Sequence, residues 1–157
     1  MEGSVKMVRA AVENYFETDN LKYEPFDENN VARTGFGIKT KFGHVDVLFI
    51  AYDSNLVINA LVPLKAEDES ERMKVGEFLL RANDGLKTGC FDFDFDTGRI
   101  SYRVSIFCGR DDFAPPTYEQ IDYAVLITVS TVQKYGNALM KVIFGLLEAK
   151  EAIEEVE

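Results

Sequence analysis

A chain of 157 residues with 46% hydrophobic and 28% charged residues is long enough to bury roughly two thirds of its unfolded surface around one core. Neither a disulfide nor a metal is needed to hold such a core together, and residues 1–157 are expected to form a single domain. The formal net charge of -10 repels phosphate, and no basic stripe offsets it, which argues against a nucleic-acid partner. No apolar run reaches transmembrane length, and Lys6 and Arg9 break the first apolar residues where a signal peptide would need them continuous. Two cysteines suit a reducing compartment, so a cytoplasmic location away from membranes is expected.

From Ser4 to about Glu17 the residues Val5, Val8, Val12, Tyr15 and Phe16 recur at helical spacing, with Ser4 as a cap. The polar cluster Thr18, Asp19, Asn20 ends that helix. The piece LKYEPF is extended only at a sheet edge, if at all, because Pro25 has no N–H to give a ladder. Three strands are predicted from Gly35 to Lys41, Val45 to Tyr52 and Leu56 to Val62, with turns at Phe42 to His44 and Asp53 to Asn55. The middle one, VDVLFIAY, is almost wholly apolar, which predicts a central strand covered on both faces. Asp68, Glu69 and Ser70 open a second helix that buries Val75, Phe78, Leu79 and Ala82 and stops at Gly85.

A hairpin follows. Phe91, Phe93 and Phe95 alternate with Asp92, Asp94 and Asp96, and Ile100, Tyr102 and Val104 alternate with Ser101, Arg103 and Ser105. A turn centred on Thr97 and Gly98 sets Phe95 opposite Ile100, Phe93 opposite Tyr102 and Phe91 opposite Val104. The same turn brings Asp96 to Arg99 and Asp92 to Arg103. Thr97 suits positive φ poorly, so the loop is expected to hold four residues built on a type I turn.

Pro115 and Pro116 punctuate the chain, and Thr117 with Gln120 forms a capping box for a long third helix. The β-branched run VLITVSTV reads as helix because no turn residue precedes Gly136 and Ile121, Val125, Val129, Val132, Tyr135 and Leu139 keep helical spacing. The acidic tail 146–157 is helical in propensity. The fold class is therefore α+β, an antiparallel sheet of about five strands with three helices in the order α-β-β-β-α-β-β-α.

The segment FLLRANDGLKTGCFDFD, its second strand, the Pro-containing loop, the capped helix and ALMKVIFG ending at Gly145 resemble the YbjN domain family. That family is similar in fold to type III secretion chaperones, and its members are labelled as candidate bacterial sensory transduction regulators without an established chemistry. The matching positions, Asn83, Gly89, Phe91 and the aromatic and glycine around Phe144, are packing positions, so the resemblance implies a fold and brings no catalytic residue.

The residues offer few chemical sites. Asp92, Asp94 and Asp96 begin like a calcium loop, but the sixth and twelfth positions hold Thr97 and Arg103 in place of glycine and glutamate, and strand spacing spreads the carboxylates, so a solvated strand face is expected. His44 reads as a turn residue, and Cys90 and Cys108 fall on opposite strand faces and should stay unpaired. Gly35, Gly37 and Gly43 lack the third glycine of a phosphate loop, since Thr40 stands there. Asp111 and Asp112 read as solvated loop acids. Leu139, Val142, Leu146, Ala149, Ile153 and Val156 make a heptad-like seam too short for an independent coiled coil, with packing on its own domain favoured over a partner helix.

No cofactor or metal is expected. The expected function is non-enzymatic: a protein-binding or chaperone-like regulatory domain, forming a homodimer and engaging a protein partner or client. The alternative is a small-molecule or signal-binding regulatory domain, and an enzyme would have to rely on Asp92 and Asp94. Candidate partner surfaces are the hairpin residues Asp92, Asp94, Asp96 and Arg103 and the tail residues Leu146, Ile153 and Val156.

Overall fold

The computed structural model describes residues 2–157. Its elements are α1 (Glu2–Thr18), β1 (Tyr23–Glu24), β2 (Val31–Gly37), β3 (His44–Tyr52), β4 (Asn55–Lys65), α2 (Glu69–Asn83), β5 (Cys90–Phe93), β6 (Arg99–Phe107), α3 (Tyr118–Ile143) and α4 (Ala149–Val156). The α+β reading holds, with six strands instead of five and four helices instead of three. The additional strand is β1, which stops at Pro25 and lies on an edge, where its missing N–H costs no ladder bond. The additional helix is the tail, separated from α3 by Gly145 at φ 73°.

All strands pair antiparallel in the order β1-β2-β3-β4-β6-β5. Strand alternation directs Val45, Val47, Phe49 and Ala51 of β3 and Leu56, Ile58 and Ala60 of β4 to one buried face. The helices pack there: Phe16 of α1 meets Phe49 edge-on at 4.8 Å, and Phe91 of β5 meets Tyr135 of α3 at 5.7 Å. The predicted Thr117 cap forms and Asp68 caps α2, whereas Ser4, expected to cap α1, lies inside that helix, which already begins at Glu2. Asp68 accepts from the Glu71 N–H at 2.8 Å and Thr117 from the Gln120 N–H at 3.1 Å, each within a reciprocal capping box. The run VLITVSTV is helical, and its buried Thr128 hydroxyl donates to the Ala124 carbonyl at 2.7 Å, which satisfies the one polar atom the helix face buries there.

Three strand expectations change. β2 begins at Val31, not Gly35, and ends at Gly37, because residues 38–43 leave the sheet to dock on α3. Gln133 accepts from the Lys39 N–H at 2.8 Å, Asn137 accepts from the Lys41 N–H at 2.9 Å, and the Phe42 ring lies against Gly136. His44 consequently opens β3 instead of sitting in a turn. β4 continues past Val62 to Lys65 through an irregularity between Leu61 and Lys65 that accommodates Pro63.

The hairpin keeps its four-residue loop but shifts register by two. Phe93 faces Ile100, Phe91 faces Tyr102 and Asp92 faces Ser101. The cause is the loop itself. Gly98, at φ 79°, takes the left-handed last position, its N–H donating to the Asp94 carbonyl at 2.7 Å, while the Asp94 N–H donates to the Arg99 carbonyl at 3.0 Å. Placing the glycine last moves the loop to residues 95–98, and the shift by two keeps apolar residues on the apolar face. Phe95, expected inside the strand, stands in the loop instead.

Asp94 caps this loop, accepting N–H bonds from Asp96 at 2.9 Å and Thr97 at 3.2 Å. Those donors hold its carboxyl below the usual range, as the Glu71 N–H does first of all for Asp68 at the start of α2. A carboxyl depressed on folding adds stability that is complete above its unfolded pKa, about 4, and is lost as pH falls through the lower folded value. The melting temperature should accordingly fall on acidification below about pH 4. An Asp68→Ala, Asp94→Ala double variant should show a shallower fall over that window, and an unchanged acid limb would assign the loss to other groups.

Candidate functional site

The sheet has two unlike faces, and the difference locates the candidate surfaces. All four helices lie on the face already described. On the other, β3 presents Asp46, Leu48 and Ile50, β4 presents Val57, Asn59 and Leu61, and β6 presents Ser101, Arg103 and Ser105. Among the described residues no helix covers this second face. The cover expected on both sides of VDVLFIAY is thus present on one side only, and Leu48 and Ile50 stay half-buried.

The three hairpin aspartates diverge. Asp92 lies on the open face and takes the Arg103 guanidinium at two points, Nε to Oδ2 at 2.7 Å and Nη2 to Oδ1 at 3.2 Å. Asp94 turns into its own loop, with Arg99 at 3.9 Å, so the expected Asp96 to Arg99 pairing passes to Asp94. Asp96 is exposed in the loop. The expected Asp92 to Arg103 contact exists, but diagonally across the strands, since the residue opposite Arg103 is Cys90.

Cys90 is half-buried beside that ion pair, its Sγ 3.9 Å from Asp92 Oδ1, and Cys108 is buried; both are free thiols. Burial first, then the Asp92 charge, pushes the Cys90 thiol up, which keeps it protonated and weakly nucleophilic at neutral pH. His44 and Asp46, two apart in β3 and so on one face, bond at 2.8 Å beside Gly35 in a shallow depression of about 340 Å³. Sequence reading missed this pair because it placed His44 in a turn; the spacing H-x-D in a strand is the signal that finds it.

The tail does not extend as a seam. Leu139 and Val142 are buried in α3, the chain reverses at Gly145, and α4 folds back with Ala149 and Ala152 buried and Ile153 and Val156 half-buried against the core. Three polar ties hold it: Lys74 to Glu148 at 3.2 Å, Lys141 to Glu155, and the Tyr135 hydroxyl to Glu157 at 2.8 Å. Burial, then the Glu157 carboxylate, pushes the Tyr135 phenol up to about 12, so the phenol donates at any ordinary pH. Leu146 alone of the three tail candidates is left exposed, next to exposed Phe144.

A larger apolar surface lies on the outer side of α2. Leu80 is 72% exposed, Met73 65% and Phe95 52%, and with Gly76 between them they line an open groove of about 610 Å³ rimmed by Lys74, Glu77, Arg81 and Asp84. The groove exists because Gly76 has no side chain: a Cβ there would stand 2.5 Å from the Phe95 ring. Sequence reading missed it by assigning Phe95 to the interior. Large apolar residues held at the surface in one patch mark contact sites for other molecules.

No family model matches the chain, and no curated protein matches it. Among solved structures, the crystal structure of YbjN from E. coli, described as a candidate transcription regulator, superposes with a TM-score of 0.56 over 87% of this chain and 89% of that one, at 12% identity. The chain has a YbjN-like fold, in agreement with the resemblance carried by the hairpin and its flanking helices.

Proposed function

We propose that this chain is a non-enzymatic, protein-binding regulatory domain of chaperone-like character, acting as a homodimer in the cytoplasm and engaging a polypeptide client. The carrying observation is the groove of Met73, Leu80 and Phe95. Met73, Gly76 and Leu80 follow one face of α2 at spacings of three and four, the geometry that receives the apolar face of a helix or an extended apolar segment. The charged rim is mixed, with Lys74 and Arg81 beside Glu77 and Asp84, which orients a partner more than it attracts one sign.

Support for a polypeptide over a small molecule comes from how the space is used. A ligand-binding regulator of this architecture needs an enclosed cavity between sheet and helices, where Phe16, Phe49, Phe78 and Tyr102 are packed with less than 2% of their surface exposed. The groove on α2, by contrast, is open and broad.

The test is native purification with light scattering and native mass spectrometry, run on the wild type and on a Met73→Glu, Leu80→Glu variant. Both substitutions fall on exposed positions, so the fold should survive them. The expected result is a dimer carrying a polypeptide that the variant releases. A monomer that retains a small molecule through purification would replace this reading with the ligand-binding one.

A further inference from the structure

We infer that the open face of the sheet is the surface on which a second copy of this chain docks, sheet against sheet. The inference rests on the homodimer in the proposed function and names its interface. Four observations carry it.

The first is a mismatch between composition and cover. Antiparallel sheets with one wet face present polar side chains there, yet this one presents Val31, Leu48, Ile50, Val57 and Leu61, arranged in adjacent rows by the register Val31↔Ile50↔Val57 and Leu48↔Asn59. An apolar strand such as VDVLFIAY is built for cover on both sides, and among the described residues the chain supplies one. The second is a polar atom at the centre. Asn59, beside Leu48 in the middle of this face, has its side-chain oxygen shielded by its own neighbours with no hydrogen-bond partner among the described residues, so the centre of the face is already dry within one copy.

The third is charge. The chain carries -10, so two copies repel over most of their surfaces. On the open face, however, Arg33, Arg99 and Arg103 offset Glu24, Asp46 and Asp92, which lets two identical faces approach without net repulsion. A client rich in one charge would find nothing here to prefer. The fourth is size. The five strands longer than the two-residue β1, spaced about 4.8 Å apart with residues rising about 3.4 Å, give a plane of roughly 500 Å² before side-chain relief is added. That matches the scale of the ~800 Å² of accessible surface each partner contributes to a standard interface. Such a dimer leaves the α2 groove, on the helical side, free on both copies.

The experiment uses the full chain. Sedimentation equilibrium gives the mass, and a sample mixing methyl-labelled and unlabelled chains reports contacts between copies. The expected result is a dimer with intermolecular contacts at the methyls of Leu48, Ile50, Val57 and Leu61. Leu48→Glu, and separately Ser105→Glu on the exposed end of the same face, should each weaken self-association tenfold or more with an unchanged far-ultraviolet spectrum. A dimer whose methyl contacts lie on Met73 and Leu80 overturns the face and leaves the homodimer standing. A wild type that stays monomeric at high concentration overturns both, and client capture through the α2 groove remains readable on that monomer.

Discussion

Phe91→Ala should destabilise the domain by about 3–5 kcal/mol, with a lower denaturant midpoint and an unchanged slope. Phe91 is 5% exposed. Its ring stands edge-on to Tyr102 at 5.2 Å and to Tyr135 at 5.7 Å, and Tyr135 in turn meets Phe78 at 6.4 Å. One side chain therefore links β5, β6, α3 and, through Tyr135, α2. The backbone of the same residue is gripped by Asn83, whose side-chain oxygen accepts the Phe91 N–H at 2.7 Å and whose amide donates to the Phe91 carbonyl at 3.0 Å. An Asn side chain thus stands in for the ladder partner that an edge strand of four residues lacks on that side. Removing the ring opens a cavity and loosens the strand this grip holds. Phe95→Ala, on the same alternation but at the groove surface, should cost under about 1 kcal/mol. Equal losses for the two would mean that Phe95 is interior and the observed register wrong.

The contrast between Phe91 and Phe95 shows how far the sequence is readable. Period-two alternation told which residues share a face, and that survives in the structure, because a shift of two leaves parity intact. It did not tell which phenylalanine closes the strand. That was decided by Gly98, the residue able to take a left-handed last position in the loop, a preference of about 1–2 kcal/mol that outweighed the register in which acid met base directly. The starts of α2 and α3 were legible for the same local reason, since Asp68, Thr117 and Gln120 cap their own neighbours, whereas Ser4, read as the cap of α1, lies inside that helix. The end of β2 was not legible, because Gln133 and Asn137, nearly a hundred residues away, draw residues 38–43 off the sheet.

The candidate surfaces divide along the same line. That Asp92 and Arg103 meet was readable from strand pairing. The α2 groove was not, since it depends on Gly76 and Phe95 coming together from two elements. The uncovered face was half readable: the apolar composition of VDVLFIAY announced a need for two covers, and only the fold revealed that one of them is missing from the described residues.

Gly98→Ala should cost about 3 kcal/mol, and the reason lies in what the hairpin tip touches. At φ 79° a non-glycine residue loses about 1–2 kcal/mol. In addition, a Cβ would fall 1.9 Å from the Ala66 carbonyl oxygen, which is backbone and cannot swing aside. The tip must lift, and lifting breaks the bond from the Ala66 N–H to the Gly98 carbonyl at 3.1 Å, worth about 1 kcal/mol. Gly43→Ala supplies the control. Gly43 has a similar φ of 69° but nothing within 4 Å of the added carbon, so it should lose the conformational part alone, about 1–2 kcal/mol. The difference in urea midpoint between the two variants isolates the contact that seats the β5–β6 hairpin beside the entrance to α2, and with it Phe95 over Gly76. Equal midpoints would show that the tip is free of Ala66 and that the groove on α2 lacks its fixed wall.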